Sequence, residues 1–395
     1  MAGPRWQLGL GRENGLAFWG MLFLEACFGS FFALWPLWIE ELGASVGLVG
    51  LLLGLGGILR LFFLLPSAEF VRRWGVKRVL IACRALSTVG ILWAAFAQEW
   101  WWLFPTLIGM ALGEVAFPLM STHVAKHAGG SRVRAFAIVM SIGPSIALML
   151  TPLISGGLVE IWSLRAPFIA AALFSVISIV FFSRFTPDDP NVEDVQRASM
   201  GAGYRAVLAV RGLPLLMSLQ FATFLALGIG TSLLSIYLHD EAGYSEARVA
   251  ALTSFTALGS IIFGTVVARS SALHTRPLLT AAITSGIAAL GYLLFLRPEF
   301  LVVVVVAMIL RGGFFSAWPL FSAVLGEATP AELRPNAYAL SEILAGTGFV
   351  CAPIIAGQLY TVDPRMPLIV AVVMLAPLVA VLARMRPPRA EEPAV

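Results

Sequence analysis

Six charged side chains stand singly inside long apolar stretches of the sequence: Glu25, Arg60, Arg84, Glu114, Arg311 and Glu342. The stretch LLLGLGGILRLFFLLP, residues 51–66, holds Arg60 as the only charge between Val46 and Ala68. Arginine stays protonated at any relevant pH, whereas a glutamate exchanges its proton according to the charges and solvent around it. An acid facing a fixed cation therefore changes its proton affinity when the two move apart. Three such acids and three arginines suit proton transfer coupled to a conformational change, or recognition of an anionic group by arginine. They also suit plain pairing that locks helices together. Other chemistry is thinly represented. No Ser/His pair, zinc motif or paired aspartates stand at workable spacing within the apolar stretches, and no G-x-x-x-x-G-K-[ST] loop is present. His123 and His127 are four apart but lack a third ligand nearby, and Cys27, Cys83 and Cys351 have unrelated spacings. The expectation is a protein that is not an enzyme, with no metal and no cofactor.

The elements that carry these charges follow from composition. Of 395 residues, 59% are hydrophobic and 12% are charged. An ordinary soluble domain is about 45–50% apolar and about 25% charged. About 20 apolar residues cross the hydrocarbon of a bilayer as a helix. Twelve such runs occur, at about 14–39, 46–70, 79–98, 100–122, 135–159, 166–183, 212–238, 249–268, 277–296, 300–326, 335–362 and 366–383. They are apolar all round, without the alternation of an outer-membrane barrel strand, so the spacing predicts helices. The first run is too long for a signal h-region, so it is read as a span.

Lysine and arginine set the orientation. With a cytoplasmic N-terminus, nineteen of them fall in inside segments and four (Arg165, Arg248, Arg297 and Arg365) in outside ones. Both termini are therefore expected in the cytoplasm, with the chain a multi-pass protein of the plasma (inner) membrane. The pI of about 9.2 reflects this bias and gives no reason to expect nucleic acid. A charge at mid-bilayer costs about 2.5–3.5 kcal/mol by insertion scales, so interior charges should pair or face a wet cavity. Arg84, near the start of its run, is expected to reach the cytoplasmic surface and meet Glu69. Arg60 is expected to pair with Glu25 or Glu114, over a slot left by Gly56 and Gly57, and Arg311 with Glu342. Gln220 and Gln358 are candidates for substrate contact or for cross-linking helices, and Trp35, Trp38, Phe117 and Trp318, near proline kinks, for lining a cavity.

The chain reads as one unit written twice. PLWIEELGAS (36–45) resembles SIYLHDEAGYS (235–245), FPLMS (117–121) matches WPLFS (318–322), and TPLISGGL (151–158) matches APIIAGQL (352–359), all at a shift of 200–201. Between the copies lies a polar stretch, 187–212, read as a cytoplasmic linker with a short helix near its end. The expected domains are an N-terminal half, 1–186, and a C-terminal half, 213–395. At the same shift Arg60 maps to Ser260, Glu114 to Phe315 and Arg311 to Met110, so the charges are not part of the shared scaffold.

Parallel six-helix repeats are the plan of the major facilitator superfamily, which the chain resembles over essentially its whole length. Two loop and helix signatures carry the resemblance further. The family's G-x-L-A-D-R-x-G-R-K-like loop between helices two and three resembles AEFVRRWGVKR (68–78), where Arg73, Gly75, Lys77 and Arg78 match. Ala68 replaces the first glycine, Arg72 stands where the acid is expected, and Glu69 is the acid one turn earlier. In the family this loop acts as a cytoplasmic gate. The antiporter-associated G-P-x-x-G-G signature resembles TPLISGG (151–157), with Pro152, Gly156 and Gly157, and its twin keeps Pro353 and Gly357. Proline and small residues at this place suit a bendable, closely packed hinge.

The resemblance implies an all-α membrane protein of twelve transmembrane helices in two six-helix halves. It implies a monomeric secondary transporter that moves a small molecule by alternating access, with protons and the lipid bilayer as its other partners. The charges favour proton-coupled efflux of a hydrophobic or amphipathic compound. The alternatives are proton-linked uptake of a small organic acid, sugar or nucleoside, and a lipid-linked flippase.

Overall fold

The computed structural model describes residues 5–127, 132–187, 200–270, 273 and 275–385. Among them there are only helices and their connections. Among the described residues ten helices are long and apolar enough to cross a membrane, and Gly11–Phe31 with Trp35–Glu41, bent by 41°, makes an eleventh. The remaining expected run forms the helix Val76–Ala94, whose Lys77, Arg78 and Arg84 make it more polar than the others. Each of the twelve apolar runs thus coincides with a helix or a broken helix.

Four spans are interrupted, and their positions repeat. The first breaks at 32–34 and the seventh at Leu233, between Leu213–Ser232 and Leu234–Asp240. The fourth breaks at Val115, between Phe104–Glu114 and Ala116–Lys126. The tenth breaks at Gly312, between Leu301–Arg311 and Gly313–Ala328. The interruptions of the first, fourth and tenth spans each let one backbone N–H bond three residues back, as Gly312 does to Ile309 O at 3.0 Å, so the helix tightens for a turn.

The chain divides into two compact units. The first comprises Met1–Ser45, Leu55–Val192 and Gly243–Ser254; the second comprises Val46–Gly54, Glu193–Ala242 and Phe255–Val395. Of the expected linker, 188–199 lies outside the described residues, and Met200–Ala209 is the short helix anticipated near its end.

Both units follow one plan. In the first, span one packs on spans five and six, and span three on spans four and six. In the second, span seven packs on eleven and twelve, and span nine on ten and twelve. Glycine permits the closest of these crossings. A Cβ on Gly90 would stand 2.8 Å from Pro105 O, and one on Gly291 would stand 2.9 Å from Ala307 O. Gly90 and Gly291 are 201 residues apart, so this seam is also duplicated. Trp35 and Trp38 are buried: both pack edge-on or tilted against Phe168, and Trp38, whose Nε1 donates to Ala94 O at 3.1 Å, also borders a cavity with Glu41, Gln98 and Arg165.

Candidate functional site

The interior of the first unit gathers four of the six singled-out charges. Arg60 Nε lies 2.9 Å from Glu114 Oε2, with each side chain about a third exposed. Of the two candidate acids, Glu114 is therefore the one that holds Arg60. Glu114 ends the first segment of span four, one residue before its interruption. Glu25 is close enough to Glu114 and Arg84 to feel both charges, and among the described residues no cation lies within ion-pair distance of it. A second carboxylate is thus held beside an ion pair it does not share.

Two details differ from expectation. At Gly56 the packing is loose: among the described residues a Cβ there would meet Leu107 Cδ2, at 3.6 Å. Close approach on that helix is needed nearer its start, where a Cβ on Gly54 would meet Val350 O at 2.9 Å and one on Gly50 would meet Gly357 Cα at 2.9 Å. Arg84 does not reach the surface. It is fully buried, with Nη2 donating to Ser175 Oγ at 2.5 Å, while Nε and Nη1 have no hydrogen-bond partner among the described residues. Thr88 Oγ1 donates to Arg84 O at 2.7 Å and shares a hydrogen bond with Ser175 Oγ. The small side chains of spans three and six admit the guanidinium to the interior, which its distance along the helix does not reveal. Glu69 instead lies 2.6 Å from Arg73 Nε, one turn along its own helix.

In the second unit, Arg311 and Glu342 form no ion pair. Glu342 is exposed and has a partner of its own, while among the described residues Arg311 donates to Met308 Sδ, at 3.7 Å. Gln220 Oε1 accepts from Ser341 Oγ at 2.8 Å in a buried link between spans seven and eleven, so it serves as a cross-link.

The 68–78 loop turns at Gly75, where φ is +77° and ψ is 156°, a backbone region essentially reserved for glycine. Lys77 Nζ donates to Phe185 O at 2.7 Å, tying the loop to the end of span six. Arg78 is exposed, and the Arg72 side chain lies outside the described residues. His123 stacks on Phe185 with centroids 3.9 Å apart and lies 3.7 Å from Glu13 Oε2. Among the described residues no group of three metal-ligating side chains forms.

The proline-glycine motifs act as packing faces. The helices Gly143–Ile161 and Arg334–Tyr360 run through Pro152 and Pro353 without interruption. A Cβ on Gly156 would stand 2.5 Å from Ala247 O, and one on Gly357 would stand 3.1 Å from Gly50 Cα, whereas Gly157 faces open space. The irregular backbone of span five lies earlier, in a π-helical turn at Ala137–Ile142.

Two helical units on one duplicated plan, with charges held in their apolar interiors, define a secondary membrane transporter and not an enzyme. The chain belongs to the Major Facilitator Superfamily, whose sequence profile matches residues 17–317 and 216–395. Among solved structures, the nucleoside transporter NupG (D323A mutant) is similar at TM-score 0.74 and 16% identity, covering 93% of this chain and 97% of that one. The human organic anion transporter MFSD10 (TETRAN) is similar at 0.67 and 15%, covering 94% and 99%. A peptide transporter POT in complex with sulfate is similar at 0.70 and 16%, covering 94% of each chain. No curated protein matches it in sequence.

Proposed function

We propose that the protein is a proton-coupled carrier that exports a hydrophobic or amphipathic compound by alternating access. The observation that carries this reading is the Arg60–Glu114 ion pair with Glu25 beside it. A carboxylate inside a membrane takes up or releases its proton according to the charges that face it. Opening or closing the Arg60–Glu114 contact would change the charge that both acids feel, and so couple protonation to conformation. Export is supported by the TPLISGG stretch, through its resemblance to the antiporter signature. Structural relatives named for nucleosides, an organic anion and peptides agree with a small-molecule cargo.

The test uses proteoliposomes loaded with a pH-sensitive dye and exposed to a panel of amphipathic compounds under a proton gradient. The wild type is expected to move protons with at least one compound, and the Glu25→Gln/Glu114→Gln variant to lose that response while remaining folded. Full gradient-driven transport in the double variant would show that these charges only lock helices.

Two smaller predictions accompany this reading. With both termini in the cytoplasm, Ala242→Cys should be labelled from outside and Met200→Cys should not. The reverse pattern would invert the topology. Gly75→Leu should slow transport at least several-fold without preventing membrane insertion, since a side chain at that φ and ψ costs about 1–3 kcal/mol. A wild-type rate in this variant would reduce the 68–78 loop to a charged anchor.

A further inference from the structure

We infer that Arg311 binds the anionic group of the transported compound, whose apolar part rests on the phenylalanines one turn further along the same span. The inference rests on the carrier reading above and names its substrate class as an amphipathic organic anion.

Arg311 is the interior arginine that the first unit's charge system does not use. It ends the segment Leu301–Arg311, ten residues into an apolar helix, and is partly exposed. Among the described residues no carboxylate lies within ion-pair range of its guanidinium. A guanidinium offers five N–H donors, and the Met308 thioether is a weak acceptor for one of them. Arg60 and Arg84 are provided for differently, by Glu114 and by Ser175. A permanent cation at this depth is retained at a cost unless something anionic meets it.

The duplication indicates which face Arg311 occupies. Its counterpart Met110 lies four residues before Glu114, on the same face of span four as the acid that binds Arg60. Phe315, the counterpart of Glu114, lies four residues after Arg311 and is half exposed. Phe314 stands edge-on to Phe315 at 4.9 Å and to Phe349 at 5.7 Å, and Phe349 stacks with Phe224 at 5.9 Å. A fixed cation followed three and four residues later on the same span by Phe314 and Phe315 is complementary to a carboxylate or sulfonate carried on an apolar body.

The probes are two matched pairs, 1-naphthalenesulfonate with 1-naphthalenesulfonamide and 1-naphthoate with 1-naphthamide. Their binding to the purified protein in a neutral detergent is measured by thermal stabilisation and by tryptophan fluorescence. The wild type is expected to bind each anion at least tenfold more tightly than its neutral partner. Arg311→Gln should abolish that preference, and Arg311→Lys, which keeps the charge, should retain part of it; the lysine variant separates loss of recognition from loss of fold. Equal binding of anion and neutral partner, no binding of either anion, or an undiminished preference in Arg311→Gln would overturn the inference. The Glu25→Gln/Glu114→Gln variant keeps the two proposals distinct. Lost proton coupling with an intact anion preference is the expected result there. Intact coupling in that variant, with anions still preferred, would overturn the proton reading alone, whereas wild-type coupling that ignores the anions would overturn the anion site alone.

Discussion

Arg60→Ala should destabilise the folded protein more than Glu114→Gln, and the double variant should recover part of the loss. Removing the arginine leaves Glu114 beside Glu25, two acids with no cation in ion-pair contact with either. Removing the acid leaves an arginine whose long stem can lean toward water, and the glutamine oxygen still accepts a hydrogen bond. Breaking a fully buried pair from one side costs about 3–5 kcal/mol. This pair is about a third exposed, so a discounted cost of about 1–3 kcal/mol is the better expectation. Thermal unfolding of wild type, both single variants and the double variant completes a cycle that isolates the pair. Strict additivity would mean that the contact contributes nothing, and the coupling argument would lose its physical basis.

Gly259→Leu is expected to eliminate folded protein, which no charge substitution here should do. A Cβ on Gly259 would fall on the Ile309 carbonyl, and one on Gly312 would fall on the backbone of Gly259 and Ser260. Spans eight and ten therefore cross backbone to backbone, with no side chain in the contact to rotate away. Overpacking a core costs about 1–3 kcal/mol when neighbours can shift, and more where the obstacle is main chain. Gly264→Leu is the control on the same helix, since nothing lies within 4 Å of its Cβ position. Fluorescence-detected size exclusion should show a monodisperse peak for Gly264→Leu and none for Gly259→Leu. Equal peaks would mean the helices can separate at that crossing without penalty.

The spans were legible because a membrane helix must satisfy its own backbone and shed its charge, and both demands are written residue by residue. Even the third span, polar at its start through Lys77 and Arg78, was recoverable from its apolar remainder. The duplication was legible for the same reason: short strings such as FPLMS and WPLFS keep their register. The Arg60–Glu114 pairing was narrowed to two acids, because depth along a helix can be counted. Rotation about the axis cannot be counted in the same way, and the misplaced contacts have that origin. Depth alone places Arg84 at the surface, yet it faces Ser175 inside the bundle. Arg311 and Glu342 do not meet, and Arg311 lies deeper along its span than Glu342 along its own. The glycine seam at Gly90 and Gly291 was invisible because a small residue in a helix serves packing, bending or nothing with the same letter. Only the neighbouring backbone distinguishes Gly156, pressed on Ala247, from Gly157, which faces open space.

The compact units do not coincide with the two copies of the duplicated sequence. Val46–Gly54, from the first copy, belongs with the second unit, and Gly243–Ser254, from the second copy, belongs with the first. A gene severed within 188–199 would yield two polypeptides, each missing a piece that its own compact unit requires. Produced separately, each fragment would carry a glycine face with nothing against it, Gly357 in one and Gly156 in the other. Reassembly by co-expression would then have to exchange helix ends between fragments, so activity from a split gene would report obligatory trading of those ends and not the meeting of two finished domains.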